Sequence, residues 1–277
     1  MHVLGVCSLK GGVGKTSVVL GLASAAMARG ISTLVVDLDP QGDATTGLDV
    51  VSLPEADVAD VLAGPRRRVV QQSLAASGWL HDGAGNGQPV APQGLLDVMV
   101  GGPRTAVHDI PGLGVKALGT LATGLSRLSG YELVLLDCPP SLGGLTRTGL
   151  TASDRALVVT EPGLFAVSAA DRALRAVDEL RRGPAPQLQP LGVVVNRVRH
   201  RSTEHDYRVS ELKTLFGPLL LAPQLPERSA LQQAQGAARP VHEWPSPAAR
   251  ELADSFDLLL ERVMRSARTT RGRHRQR

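Results

Sequence analysis

The sequence predicts an α/β fold with a mostly parallel central sheet and helices on both of its faces. Short apolar runs of strand length alternate along the chain with stretches of helical patterning. Most of these runs lack polar positions, which is typical of parallel strands buried on both faces. Polar motifs follow several of the runs directly, and ligands of such sheets bind at the carboxyl ends of the strands. We therefore expect a three-layer α/β/α domain with its site at that edge.

The first predicted elements form a strand, turn and helix unit. Residues 2–7 predict a strand, and a glycine-rich turn leads into a helix over about 15–29, for which Gly30 is a natural C′ residue. The STLVVD run at 32–37 predicts a second buried strand. The region 54–112 is less regular, and we interpret most of it as helices and a long surface loop of the same domain.

The remaining elements continue the alternation to the end of the chain. Further strands are predicted for LLDVMV from Leu95, ELVLLD ending at Asp137, RALVVT ending at Thr160, LGVVVN ending at Asn196 and the shorter PLLLAP after Gly217. Helices are predicted between them, at about 114–128, 166–182, 204–216 and 247–266. We find no internal repeat. The sequence predicts one domain over 1–266, followed by a basic and disordered tail over 267–277.

The composition favours a cytoplasmic globular protein. The chain has 277 residues, of which 43% are hydrophobic, so it can bury a large core. No apolar stretch approaches the roughly 20 residues of a membrane span, and we see no signal-peptide pattern. Cys7 and Cys138 form neither a zinc spacing nor a disulfide framework. We interpret both as small buried residues, with a redox pair as the alternative.

Basic residues are unevenly distributed. The chain has 26 arginines but four lysines, and two of those, Lys10 and Lys15, flank one run of glycines. Residues 262–277 contain seven arginines and no acid, whereas the rest carries 23 basic and 26 acidic side chains. The tail is therefore either a solvated end or an arm for nucleic acid or an acidic membrane.

The glycine-rich turn predicts a phosphate-binding loop. A loop of this kind between a strand and a helix directs backbone N–H groups and the helix dipole at one anion. Within such a loop a lysine, here Lys15, reaches the terminal phosphates, and the following hydroxyl, here Thr16, binds Mg²⁺. A glycine-rich turn with an incidental lysine is the alternative, but it does not explain the order strand, loop, Gly-Lys-Thr and helix.

The loop departs from the usual pattern G-x-x-x-x-G-K-[ST], because Leu9 stands at the first glycine position and Lys10 is an extra lysine. The form K-G-G-V-G-K-T resembles the ParA/MinD family of P-loop ATPases. The resemblance implies ATP and Mg²⁺ as ligands and an ATP-bound homodimer in which Lys10 contacts the partner's nucleotide. A compact ammonium group suits a crowded triphosphate better than a guanidinium. The implied nucleotide contacts are Lys10, Gly11, Gly12, Val13, Gly14, Lys15, Thr16 and Ser17.

Two acidic motifs strengthen the resemblance. LVVDLDPQGDATTGL resembles the switch I segment of ParA proteins, which implies that Asp39 orients the attacking water and that Asp37 supports the metal shell. VLLDCPPSLGGLT ends an apolar run with Asp137, as in a Walker B strand that holds Mg²⁺, and it resembles switch II. The implied metal set is Thr16, Asp37, Asp39 and Asp137, and the implied catalytic set is Lys10, Lys15 and Asp39.

Towards the C-terminus, VVVNRV and the segment from Leu225 resemble the adenine-binding part of the family. The resemblance implies that Asn196 and Pro226 frame the adenine, whereas Asn196 taken alone is equally well explained as a cap or turn. The resemblance to the ParA/MinD family covers the chain from about Val3 to Val263. It does not separate the branches of the family.

We favour a partition ATPase that binds DNA non-specifically as an ATP dimer, on the nucleoid, and is released by a ParB-like partner. The predicted DNA contacts are basic residues near the adenine strand: Arg197, Arg199, Arg201 and Arg228. The alternative for the RVRHR cluster is a solvated loop balanced by Glu204 and Asp206. Ala230 stands where ParA proteins often carry arginine, which weakens the DNA hypothesis.

Two other functions remain open. A MinD-like membrane switch needs a C-terminal amphipathic helix, but the residues after the last apolar face are rich in arginine and lack Trp, Phe or Leu. Membrane binding is therefore not expected, although electrostatic association of the tail stays open. A metabolic ATPase of the same fold, such as an amidoligase or an iron–sulfur carrier, is the third hypothesis. For a carrier, Cys7 and Cys138 are poorly placed as ligands.

Overall fold

The computed structural model describes residues 1–80 and 95–274. Its centre is one sheet of seven strands, in the spatial order β3-β4-β2-β5-β1-β6-β7. All neighbouring strands are parallel except β3, which runs antiparallel to β4 at one edge. The strands are β1 (His2–Cys7), β2 (Thr33–Asp37), β3 (Leu74–Ala76), β4 (Leu96–Met99), β5 (Leu133–Asp137), β6 (Arg155–Thr160) and β7 (Gln189–Val195).

Helices cover both faces of the sheet, as the sequence predicts. Alternate residues of β1 belong to different hydrophobic clusters: Leu4 packs in one, and Val3 packs in the other. The helices are α1 (Lys15–Ala28), α2 (Asp43–Gly47), α3 (Val58–Ala63), α4 (Arg67–Gln72), α5 (Val115–Leu118), α6 (Thr120–Leu125), α7 (Gly144–Thr151), α8 (Ala166–Arg182), α9 (Thr203–Phe216), α10 (Ser229–Gly236) and α11 (Pro247–His274). The predicted three-layer α/β/α class is confirmed.

The close contact between α1 and α11 fixes the helix that follows the glycine-rich loop. Gly21 of α1 lies directly against the ring of Phe256, because a Cβ at Gly21 would stand 2.2 Å from the ring. Phe256 is fully buried in the cluster that contains α1 and α11. A well-packed α1 holds its N-terminus in a defined position relative to the strand ends.

Two predicted elements differ in the structure, and one strand is additional. The predicted helix over 114–128 is divided at Gly119 into α5 and α6, since glycine is a poor helix former. The predicted strand PLLLAP is wrong: it forms a 3₁₀ turn, Gly217–Leu219, and a single bridge from Leu220 to Val193. Prolines at both ends of that run remove backbone donors. The short strand β3 was not expected.

The last helix is longer than the sequence predicts. Helix α11 continues past residue 266 to His274, through most of the stretch 267–277 expected to be disordered. The chain there is Ala-Arg-Thr-Thr-Arg, which contains no glycine or proline before Gly272. Residues 275–277 lie outside the described residues, as does the HDGAGNGQP segment. The boundary at 266 stays a prediction. No helix within 1–80 and 95–274 combines the length and hydropathy of a membrane span.

Candidate functional site

The glycine-rich loop connects β1 to α1 at the carboxyl edge of the sheet. Gly12 and Gly14 have φ angles of 77° and 85°, in the left-handed region that glycine tolerates best. Gly14 also needs its lack of a side chain for space, because a Cβ there would stand 2.3 Å from the Asn196 amide nitrogen. The glycines therefore shape the loop through both backbone conformation and close packing.

Two side chains at the end of β7 contact the loop from outside. Asn196 is 3% exposed, and its Nδ2 donates a hydrogen bond to the Val13 carbonyl at 2.9 Å. The Nη1 of Arg197 donates to the Gly12 carbonyl at 2.5 Å. The side chain of Asn196 thus caps no helix but holds the loop, and Arg197 also lies at the loop.

The two lysines of the loop have different surroundings. Lys15 is buried in the first turn of α1, with 6% of the residue exposed. The Lys10 side chain is half exposed, and its Nζ forms an ion pair with Glu161 at the end of β6. Glu161 was not singled out in the sequence, although its place directly after an apolar strand was the available signal. Lys15 is enclosed by the fold, whereas Lys10 stays accessible at the surface.

Acidic residues lie on the other side of the loop. The Thr16 hydroxyl donates to Asp137 Oδ2 at 2.7 Å, and Asp137 Oδ1 is buried and accepts no hydrogen bond within the described residues. Burial raises the pKa of Asp137 to about 8, the charge of Asp37 adds to the increase, and the Thr16 hydrogen bond opposes it. The ionised form of Asp137 is therefore incompletely compensated by protein groups.

The segment that resembles switch I lies beside Asp137, because β2 and β5 are neighbours with Asp37 and Asp137 in register. Asp37 accepts from the Thr45 N–H and hydroxyl, both at 2.8 Å, and from the Asp39 N–H at 3.2 Å. Burial raises the pKa of Asp37 to about 6, against the lowering effect of the Thr45 hydrogen bonds. Asp39 accepts from the Gln41 N–H at 3.1 Å. Thr45, which anchors Asp37, was not among the predicted site residues.

This acidic group fits a divalent cation. The unpartnered oxygen of Asp137 and the raised pKa of its carboxyl are what a cation would compensate. Residues 1–80 and 95–274 contain no group of three His, Cys, Asp or Glu side chains arranged to hold a metal. A divalent cation beside Asp137 would therefore need further oxygen ligands, such as hydroxyl or phosphate oxygens and water.

The four predicted DNA-binding arginines do not form one free basic cluster. Arg199 forms an ion pair with Glu227, and Arg228 forms two hydrogen bonds of 2.8 Å to the Glu251 carboxylate. The acids that pair with these arginines are therefore not the predicted Glu204 and Asp206, since Glu204 pairs with Arg208. Arg201 forms no ion pair within the described residues.

The other predicted residues lie around the loop. Pro226 bridges to Val198 next to the Asn196 strand end, and the Ser17 hydroxyl stands 3.4 Å from Gln235 Oε1. Cys7 and Cys138 are buried free thiols, and burial raises the pKa of Cys7 to about 12. The roles assigned to individual residues in catalysis, adenine binding and DNA binding stay predictions.

Known proteins resemble the chain over most of its length. Residues 4–241 match the CobQ/CobB/MinD/ParA nucleotide binding domain. The chain is 31% identical over 265 residues to the chromosome-partitioning ATPase Soj of Thermus thermophilus, with 94% of each chain covered. It is 28% identical over 251 residues to the chromosome partitioning protein ParA of Caulobacter vibrioides, with 87% of this chain and 86% of that protein covered.

Among solved structures, a Mycobacterium smegmatis protein described as cobyrinic acid a,c-diamide synthase, with bound ADP and magnesium, is 27% identical to the chain. The TM-score is 0.70, and the match covers 92% of this chain and 93% of that one. Another structure of the same protein holds an ATP analogue and magnesium, with a TM-score of 0.71. These similarities agree with a nucleotide site at the glycine-rich loop.

Proposed function

The chain belongs to the CobQ/CobB/MinD/ParA nucleotide binding family, and from this premise we propose that it is an ATPase that partitions or positions DNA or another intracellular cargo. The observation that carries the proposal is the contact between Thr16 of the loop and Asp137 of β5, with one Asp137 oxygen left without a partner. This arrangement supports binding of a phosphate-bound metal ion.

ATP and Mg²⁺ are the proposed ligands. They are supported by the ADP, ATP analogue and magnesium of the M. smegmatis protein. The loop N–H groups and Lys15 would bind the phosphates, and Thr16 and Asp137 would hold Mg²⁺, with Asp37 and Asp39 beside them. Mg²⁺ supplies neutralisation of the charge on the phosphates. Asp39 orients the attacking water, and the protein otherwise contributes position and charge.

The proposed active state is an ATP-bound homodimer. Lys10 is the residue that reaches the partner's nucleotide. Its half-exposed side chain, held by a surface carboxylate instead of the core, supports this role. A ParB-like partner would then stimulate hydrolysis and return the protein to monomers. The relatives named for chromosome partitioning favour this cycle.

The hydrolysis step is tested with Asp39→Ala. We expect this variant to bind ATP with an affinity similar to that of the wild type but to release phosphate about 100-fold more slowly, because the water is no longer oriented. Asp43→Ala is the matched control, since Asp43 is an exposed acid of the same segment. Phosphate release by Asp39→Ala at the wild-type rate would remove Asp39 from catalysis.

Non-specific DNA binding is tested with ATP, ADP and no nucleotide at low and moderate salt. The wild type is compared with a variant in which Arg268, Arg271, Arg273, Arg275 and Arg277 are changed to Gln, because truncation at 265 would remove Ser266, which contacts His2. ATP-dependent binding that survives these changes supports a DNA surface on the folded dimer. Binding that ignores nucleotide and disappears in the variant contradicts it, and anionic vesicles then test a membrane role.

A biosynthetic amidoligase is the second candidate, favoured by the similarity to the protein described as cobyrinic acid a,c-diamide synthase. The two functions differ in what hydrolysis requires. An amidoligase consumes ATP when an acid substrate and an amide donor are present, whereas a partition ATPase turns over ATP without them and responds to DNA and a protein partner. Phosphate release measured without any acid substrate distinguishes the two.

A further inference from the structure

The carbonyl groups of the phosphate loop are held from outside by two successive residues. Asn196 donates to the Val13 carbonyl, and Arg197 donates to the Gly12 carbonyl. Both donors come from the end of β7, which is separated from β1 by β6 in the sheet. Two neighbouring peptide groups of the loop are therefore fixed by one short segment.

These hydrogen bonds also set the direction of the loop amides. In a planar trans peptide, the N–H group points away from the carbonyl of the same unit. The bond from Arg197 to the Gly12 carbonyl thus directs the Val13 N–H to the opposite side, and the bond from Asn196 directs the Gly14 N–H in the same way. Within the described residues, neither N–H donates to a protein acceptor. Both amides are left for an anion in the loop.

We propose that Arg197 is a positioning residue for the nucleotide phosphates, acting through the Gly12 carbonyl, and not a DNA contact. The proposal rests on the proposed ATP-binding function. Arg197 is partly buried, and it forms no ion pair with a carboxylate within the described residues. Glu227 is bonded to Arg199 instead. The guanidinium therefore places a positive charge beside the loop as well as orienting one peptide group.

A titration of ADP and ATP in the presence of Mg²⁺ tests this role with three variants. Arg197→Met removes the donor and the charge, and we expect about tenfold weaker binding of both nucleotides, the effect of losing one charged hydrogen bond. Arg197→Lys retains a charged donor and should stay within about threefold of the wild type. Arg199→Met is the matched control, because Arg199 contacts Glu227 and not the loop, and it should bind as the wild type does.

A structural defect is separated from a positioning effect by thermal unfolding without nucleotide. We expect Arg197→Met to unfold near the wild-type midpoint without nucleotide, but to be stabilised less by Mg²⁺ and ADP at a fixed concentration. If Arg197→Met does not fold, Arg197→Gln is used in the same titration with the same criterion.

The proposal is overturned if Arg197→Met binds both nucleotides within twofold of the wild type. DNA affinity is measured alongside, at nucleotide concentrations that saturate each protein. A loss of DNA affinity with intact nucleotide affinity would make Arg197 a DNA contact after all. If the wild type itself binds neither ADP nor ATP, the proposed function fails, an outcome distinct from equal binding by wild type and variant.

Discussion

The two sides of the glycine-rich loop are built in opposite ways. On the side of β5 and β2, Asp137 and Asp37 are buried carboxyl groups with raised pKa values, and one Asp137 oxygen lacks a partner in the described structure. On the side of β6 and β7, Glu161 binds Lys10, and Asn196 binds the Val13 carbonyl. The acidic side keeps a buried carboxylate oxygen that no described protein group contacts, whereas the other side is held by contacts within the protein.

This difference separates two contributions to ligand binding. A buried polar atom without a partner costs about 1–3 kcal/mol, and a bound cation removes that cost. The hydrogen bonds of the second side instead hold the loop in one conformation without a ligand, so less order would have to be created on binding of the proposed nucleotide. Replacement of Asp137 by a neutral side chain should therefore stabilise the ligand-free protein, and replacement of Asn196 should destabilise it.

The largest expected effect is a loss of ATP affinity on replacement of Lys15, which lies between the two sides of the loop. Lys15→Ala removes the buried ammonium group at the start of α1, and we expect ATP affinity to fall at least about 100-fold, which corresponds to ~2.7 kcal/mol. Calorimetric titration with Mg²⁺ and ATP measures the effect. Lys116→Ala, at an exposed lysine of α5, is the control and should bind normally. Normal ATP affinity of Lys15→Ala would refute the assignment of the phosphate loop.

Asp137→Asn tests the acidic side and should weaken Mg²⁺-dependent ATP binding. Without metal, the pKa of the Asp137 carboxyl is about 8 in the folded protein, which is higher than in the unfolded chain. The folded state therefore binds more protons than the unfolded state, and its stability falls as the pH rises from about 4 to 8. The neutral amide does not titrate and can still accept from Thr16. The thermal midpoint of Asp137→Asn should therefore exceed that of the wild type by a margin that grows between pH 5 and 8 to roughly 5 °C.

If the difference in thermal midpoint between Asp137→Asn and the wild type shrinks with rising pH, the Asp137 carboxyl does not have a raised pKa in the folded protein. Addition of Mg²⁺ and ADP provides the internal control, because it should stabilise the wild type at pH 8 more than it stabilises Asp137→Asn.

Asn196→Ala is expected to have the opposite effect on the ligand-free protein. It leaves the Val13 carbonyl without its donor, and we expect the free energy of unfolding to fall by about 1–3 kcal/mol. Urea unfolding without ligand measures this loss, and nucleotide affinity should fall as well. Gln187→Ala is the control, because it removes a hydrogen bond to the Thr151 carbonyl away from the loop. If Asn196→Ala is as stable as the wild type, the β7 side does not hold the loop.

The smallest expected effect is that of Glu161→Gln. The ion pair with Lys10 is solvent-accessible, and such pairs contribute about 0.2–1 kcal/mol. We therefore expect almost unchanged stability, together with ATP-dependent dimerisation that is equal or up to about threefold tighter, because Lys10 is released. Sedimentation with ATP measures the dimer. Glu179→Gln breaks the surface pair with Arg147 and should change neither property. Weaker dimerisation of Glu161→Gln would assign Glu161 a direct role in the interface.

Much of the fold follows from local patterns. The apolar runs of β1, β2 and β5 were predicted to within one residue, because a buried parallel strand needs an uninterrupted apolar stretch. The three residues of β3, Leu-Ala-Ala, carry no such signal, and their pairing depends on β4. The PLLLAP run has strand-like composition, but its prolines prevent a regular ladder.

The candidate site, like the fold, has some parts that local sequence patterns predict and others that they do not. The glycines, Lys15, Thr16 and the aspartates at the strand ends are recognisable in the sequence, because their chemistry depends on neighbours in the chain and on the fold class. The contacts of Arg197, Arg199 and Arg228 cannot be recognised in the sequence, which predicted all three on a DNA surface. Arg197 and Gly12 are 185 residues apart in the chain. Their contact exists because β7 and β1 end at the same edge of one sheet, an order in space that no local pattern encodes.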